Sequence, residues 1–229
     1  MNSTDSATVL LSGGLDSTVL LHHVVKELGI PCVFALSFDY GQRHSRELMM
    51  ARWQVDRLPA VREHHVLDLG IFRGLAAGAT ALVGGGPEVP DLDDLSEDEL
   101  QQPPTYVPNR NMMLLSLAAA YAEARGCSTV YYGAQAQDRY GYWDCTGEFV
   151  ARINDVLALN RGQAVRVEAP FAEKRKGEGV LLGMALGVDF AHTWSCYRGG
   201  GTPCLTCPTC VERERAFDEA GVADPLVAL

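Results

Sequence analysis

Apolar positions fall into two alternating patterns along the chain. Short runs that are apolar on both faces, 7–11 (ATVLL) and 32–38 (CVFALSF), read as strands covered on both sides. HHVLDL (64–69), STVYYGA (128–134) and AVRVEAP (164–170) are three further strand candidates. Between them lie helical segments: 16–28, stopped by Gly29 and Pro31; about 45–57, ended by Pro59; a Met/Leu/Ala-rich stretch at 111–125; then 148–160 and 177–187. A charged helix, VERERAFDEAG, closes the pattern. Strands alternating with helices predict a parallel α/β sheet. The alternation breaks at 70–104, which holds GGG at 84–86, Pro87, Pro90, Pro103 and Pro104. That stretch is expected to leave the sheet, with one short helix near 95–101. It is either a solvated loop or a lid over the site.

Composition narrows the picture. The 229 residues suit one domain with an appendage, divided here as 1–190 and 191–229. With 47% hydrophobic and 21% charged residues, the chain is globular rather than disordered. No apolar run approaches the roughly 18 residues that span a bilayer. The N-terminal segment has no basic region before its apolar run, so a cytoplasmic, non-membrane protein is expected. Net charge is −10, and seven acids stand between positions 88 and 99 with no Lys or Arg among them. Nucleic-acid binding needs clustered positive charge and is not expected.

The first strand runs into Ser12-Gly13-Gly14-Leu15-Asp16-Ser17-Thr18 at the start of a helix. Glycines there let backbone N–H groups turn toward an anion, and the helix N-terminus adds positive dipole. Ser17 and Thr18 add hydroxyls. The loop has neither the Gly-Lys-Ser/Thr of a Walker A motif nor a G-x-G-x-x-G fingerprint. Asp16 is placed to serve as an N-cap or, beside a bound anion, to help hold a cation such as Mg²⁺.

Four of seven cysteines gather as Cys196-x7-Cys204-x2-Cys207-x2-Cys210. Four thiolates complete a tetrahedral Zn²⁺ shell, which marks a structural site. The C-x2-C-x2-C run also opens a ferredoxin-type iron–sulfur motif, but no fourth Cys follows it. Cys32, Cys127 and Cys145 read as core thiols.

The Ser-Gly-Gly-Leu-Asp-Ser segment resembles the signature loop of the PP-loop ATP pyrophosphatases. Further segments resemble one branch, the QueC family of 7-cyano-7-deazaguanine synthases. They are Ser37-Phe38-Asp39-Tyr40-Gly41-Gln42-Arg43-His44, Val107-Pro108-Asn109-Arg110-Asn111 and Gly141-Tyr142-Trp143-Asp144-Cys145. Pro170 with Lys176 and Glu178, and Thr193-Trp194-Ser195-Cys196-Tyr197, complete the set. The resemblance covers about 7–217 apart from 70–104.

It implies a five-stranded parallel doubly wound, Rossmann-like sheet with a C-terminal zinc-binding helical appendage. It implies a ligase that makes the nitrile from 7-carboxy-7-deazaguanine, ammonia and ATP for queuosine biosynthesis, as a homodimer with structural Zn²⁺. The ATP site then comprises Leu11, Ser12, Gly13, Gly14, Leu15, Asp16, Ser17, Thr18, Val19, Leu20 and Leu21, with Arg110 on phosphate. Asp16, Ser17, His44 and Lys176 are the catalytic candidates. Tyr40, Gly41, Gln42, Asp138, Tyr142, Trp143 and Asp144 are the substrate candidates, the two aromatics stacking on the deazapurine and Asp144 accepting from its amidine edge. Each has a plainer reading: His44 a helix-start histidine, Arg110 half of a surface salt bridge, Tyr142 and Trp143 core aromatics, Lys176 one of a solvated basic run.

The resemblance departs in one loop, where the family reads Gly-Tyr-Pro-Asp-Cys-Arg and Trp143 and Thr146 replace Pro and Arg. Arg139 would then have to supply the lost charge, or the substrate is a variant. Competing functions are a tRNA-modifying PP-loop enzyme, which needs a basic face, and a zinc-stapled nucleotide-binding protein without catalysis.

Overall fold

The computed structural model describes residues 5–43, 46–135 and 142–227. Strand β1 (Ser6–Leu10) is buried at every residue and pairs in parallel with β2 (Cys32–Asp39), Ser6 beside Cys32 and Leu10 beside Leu36. β3 (Val61–Asp68) lies outside β2, and β4 (Thr129–Tyr131) and β5 (Arg166–Glu168) lie on the other side of β1. The order β3-β2-β1-β4-β5 is parallel throughout, as the alternating pattern predicts.

Period-two alternation along β2 supplies both faces. Phe34, Leu36 and Phe38 join one core with Leu115, Ala118 and Ala122 of α5 (Arg110–Ala124) and Phe149 and Val150 of α6 (Gly147–Leu157). Val33 and Ala35 join the other core with Val19 and Leu20 of α1 (Leu15–His22) and Ala51 of α2 (Arg46–Val55). Val180 of α7 (Lys176–Ala185) and Phe217 of α8 (Pro208–Ala220) complete that side. The helix expected to run to residue 28 does continue, but as a wider π turn at His23–Glu27, where Leu28 N–H reaches back to His23 O.

The stretch 70–104 is neither a free loop nor a simple lid. It contains α3 (Gly70–Ala76), a 3-10 turn at Leu92–Asp94 and α4 (Glu97–Gln101), the last capped by Ser96 and Glu99 in a reciprocal box. Phe72, Ala76, Leu82 and Val83 are buried against Phe38 and Tyr40. Ala81 and Val89 pack with Trp194 and the cysteines. Asp91 pairs with Arg198 at 2.7 Å, and Leu92 N–H donates to Thr206 O. The segment therefore straps the β2 end of the sheet to the cysteine region. α4 is the short helix expected near 95–101, whereas α3 and the 3-10 turn escape a pattern reading because the segment's buried residues share no helical or strand period.

Candidate active site

Strand order reverses between β1 and β4, and in open parallel sheets ligands bind at the strand C-termini where this happens. A cleft of about 280 Å³ opens there. β1 contributes the serine–glycine loop to it, and β4 contributes Gly133-Ala134-Gln135.

The loop curls on its own hydroxyls. Ser17 Oγ accepts from the N–H of Ser12 (3.1 Å) and of Gly13 (3.2 Å), and lies 2.9 Å from Ser12 Oγ. Gly13 sits at φ +92°, and a Cβ there would fall 2.0 Å from Glu47 O on α2. Only glycine fits so close a backbone crossing. Gly14 takes the N-cap position of α1, so Asp16 is not the cap. Asp16 stands in the first turn and lines the cleft.

Of the residues the resemblance placed on ATP, Leu11, Ser12, Gly14, Leu15, Asp16, Ser17 and Arg110 line the cleft. Gly13 does not, being turned against α2, nor do Thr18, Val19, Leu20 and Leu21, which are almost fully buried, the last three in the core under the helix. They hold α1 against the sheet.

Arg110 opens α5 after Asn109, whose left-handed backbone (φ 52°) makes the turn. It faces the cleft rather than a surface carboxylate, donating to Tyr40 Oη at 3.2 Å and to Asn111 Oδ1. Gln42 lines the cleft, but its amide is spent locking the turn: it accepts from Tyr40 N–H and donates to Phe38 O, each at 2.9 Å. Gly41 is a turn residue at φ +81° whose Cβ would meet Arg73. Lys176 is not a solvated lysine. It begins α7, lines the cleft and bonds Glu212 at 2.5 Å, the two side chains being 21% and 11% exposed.

The fourth loop differs from expectation. Tyr142, Trp143 and Asp144 are not among the cleft-lining residues. Tyr142 Oη bonds Thr105 Oγ1 at 2.6 Å, and Trp143 donates to Tyr106 Oη and sets its edge on Phe149. Asp144 is buried, which raises its carboxyl's pKa against the pull of Arg110. Cys145, read as a core thiol, does line the cleft. Thr146 caps α6, accepting from Phe149 N–H. This local task suits Thr and not the Arg of the family pattern. His44, Asp138 and Arg139 lie outside the described residues.

Several cleft residues escaped the sequence reading. Glu47 stands beside Gly14, and burial pushes its carboxyl up to about 8 against the pull of Arg110. Glu212 was hidden in a helix that reads as merely charged. Its spacing with Thr209, Arg213 and Ala216, all lining the cleft, was the available signal. Gln135 carried no signal beyond following a strand.

The four cysteine sulfurs lie within 4.8 Å of one another, and Cys204 and Cys210 are 3.9 Å apart. Sulfurs around one tetrahedral zinc stand about 3.8 Å apart, so the spacing fits a metal ion. Backbone N–H groups of Cys204 and Cys207 already point at the sulfurs of Cys196 and Cys204. Hydrogen bonds from its neighbours draw the Cys196 thiol down to about 3, while Cys210 is held protonated. Four thiols this close lose all their protons only to a cation. The cluster is tied to the anion loop: Trp194 N–H donates to Gly13 O (3.0 Å) and its indole N–H to Cys196 O (2.9 Å).

A sheet of this order with a serine–glycine anion loop at its switch point defines the PP-loop type of nucleotide-binding fold. Solved structures with this fold agree. The U34-tRNA thiolase NcsA from Methanococcus maripaludis superposes at TM-score 0.52 and 14% identity, over 93% of this chain and 63% of that one. The NMN synthetase of Francisella tularensis gives 0.52 and 15%, over 96% and 79%. The model of the family "Queuosine biosynthesis protein QueC" matches residues 6–221, and the chain belongs to that family. Among its relatives, 7-cyano-7-deazaguanine synthases from Trichodesmium erythraeum and Chromohalobacter salexigens are 41% and 44% identical. These matches cover 96% and 98% of this chain, and 99% and 86% of theirs. One from Archaeoglobus fulgidus is 43% identical over 97% and 90%.

Proposed function

We propose that the protein is a ligase that converts 7-carboxy-7-deazaguanine, ammonia and ATP to 7-cyano-7-deazaguanine, AMP and pyrophosphate, for queuosine biosynthesis. The observation that carries this reading is the serine–glycine loop at the switch point of a sheet whose sequence matches the family from residue 6 to 221.

A carboxylate oxygen is a poor leaving group, and transfer of AMP makes it a good one. In the first half-reaction the substrate carboxylate attacks the α-phosphorus of ATP and pyrophosphate departs. Ammonia then displaces AMP and leaves the amide. In the second, the amide oxygen attacks another ATP, AMP leaves with that oxygen, and loss of the remaining N–H protons gives the nitrile. Ser12, Gly14 and Ser17 line the cleft, and their N–H and O–H groups, which bond within the loop here, would turn to the departing pyrophosphate. Arg110 and Lys176, both on the cleft wall, would meet phosphate charge. Mg²⁺ bound with ATP would offset phosphate charge, and the carboxylate of Asp16 is a hard oxygen donor suited to it, which Glu47 joins only on giving up its proton. Cys196, Cys204, Cys207 and Cys210 hold a structural Zn²⁺, and a reducing, ATP-supplied cytoplasm suits both.

We place Tyr40 on the substrate side through Arg110, and leave Trp143 and Asp144 as supports of the loop. His44 and Asp138 remain candidates for phosphate and substrate contact. A homodimer belongs to the same reading and is checked by sedimentation at twice the chain mass. Among the described residues no helix is long and apolar enough to cross a membrane. The test is incubation of the pure protein with Mg²⁺-ATP and ammonium, with and without 7-carboxy-7-deazaguanine. AMP should form only with the acid. AMP formed equally without it, or none with it, would remove this substrate.

A further inference from the structure

Gln135 is 3% exposed, lines the cleft just beyond β4, and has no hydrogen-bond partner for either amide atom among the described residues. A buried carboxamide without partners costs stability, and natural sites keep one where a ligand completes it. Its nitrogen sits against the first turns of α7, 3.4 Å from where a Cβ on Gly179 would stand, one turn along from Lys176.

The cleft wall has an apolar part, Leu36, Phe38 and Leu114, beside Arg110 and Asn111 at the start of α5. From α7, α8 and the segment before α8 it takes polar groups, Ser195, Thr209 and the Lys176–Glu212 pair. The two heterocycles differ in what their edges offer. Adenine has an amino donor beside an acceptor ring nitrogen and no lactam N–H. A deazaguanine carries a lactam and an amino group, which need polar partners. A primary amide pairs with a lactam through two parallel bonds: its carbonyl accepts the ring N–H while its NH₂ donates to the ring carbonyl.

Resting on the ligase reading above, we infer that Gln135 is a specificity-determining residue that reads the lactam edge of the deazaguanine acid, not the adenine of ATP. Glu212, which lines the same cleft, would accept from the neighbouring amino group.

Gln135→Met keeps the length of the side chain and removes both polar atoms. Calorimetric titration of wild type and variant with 7-carboxy-7-deazaguanine and, separately, with Mg²⁺-ATP reads the contact. Loss of two buried hydrogen bonds predicts acid binding weaker by roughly 10- to 100-fold, with ATP binding within about threefold. The ligand-free variant should melt no lower than wild type, because an unpartnered amide has been replaced by apolar atoms. A second arm needs no mutation. Wild type should bind the analogue with a 6-amino group in place of the lactam at least about tenfold more weakly than the acid. Weakened ATP binding with intact acid binding, equal binding by variant and wild type, or no discrimination against the analogue would each overturn the assignment. A lower melting point with both ligands weakened equally would mark Gln135 as structural and overturn it too. Wild type that binds the acid but releases no AMP would sink the reaction and spare this contact. Failure to bind the acid would sink both.

Discussion

Burial sets the proton on Glu47. Its carboxyl is held up to about 8, chiefly by loss of hydration in the cleft wall, with Arg110 opposing. An unfolded glutamate titrates near 4.3, so the folded chain holds an extra proton between there and about 8. Stability from this group is therefore full below the unfolded value and is lost as pH rises toward 8. Unfolding free energy of Glu47→Gln should decline less between pH 5 and 8.5 than that of wild type, by up to about 4 kcal/mol across the range. Parallel declines would contradict this account. Arg213 is a second residue whose role follows from burial. It and Asp224 are 4% and 9% exposed and pair at 2.6 Å, and the guanidinium also bonds Thr193 Oγ1 and Phe190 O. Arg213→Met leaves Asp224 charged and unpaired. Denaturant unfolding should show a loss of about 3–5 kcal/mol, and a loss below about 1 kcal/mol would mean the pair is dispensable.

At the scale of elements, the anion loop and the cysteine cluster are one assembly. Gly13 is clamped between α2, which no Cβ would allow, and Trp194, whose N–H meets its carbonyl. Trp194 in turn holds Cys196, and Arg46 of α2 lies over its ring at 4.7 Å. Removing the proposed metal with a strong chelator should lower the melting point and also weaken ATP binding at least tenfold. Restored Zn²⁺ should recover both. A chelated protein that melts lower yet binds ATP normally would show the two sites to be independent. Absorbance near 400 nm with iron and no zinc would replace zinc by an iron–sulfur cluster.

At the scale of the whole molecule, the parts legible in the sequence were those written as local patterns. Five apolar runs became five parallel strands, the helix stops at Gly29 and Pro59 held, and the cysteine spacing became a cluster of sulfurs. Ser12 to Ser17 was legible because glycine placement between a strand and a helix is itself local chemistry. What was not legible is made at long range. The strap at 70–104 is fixed by Phe72, Val83 and Val89 finding separate pockets. Glu47 and Gln135 reach the cleft only because β1, β4 and α2 converge there, and Thr146 departs from the family pattern because it caps α6.

The central claim is that one cleft activates a carboxylate and then an amide, each time by transfer of AMP to oxygen. 7-Carboxy-7-deazaguanine labelled with ¹⁸O at both carboxyl oxygens, turned over with ammonium and Mg²⁺-ATP, tests it directly. Mass analysis should find two labelled AMP molecules for each nitrile formed. One labelled AMP with accumulating amide, or unlabelled AMP with label in phosphate or pyrophosphate, would contradict it.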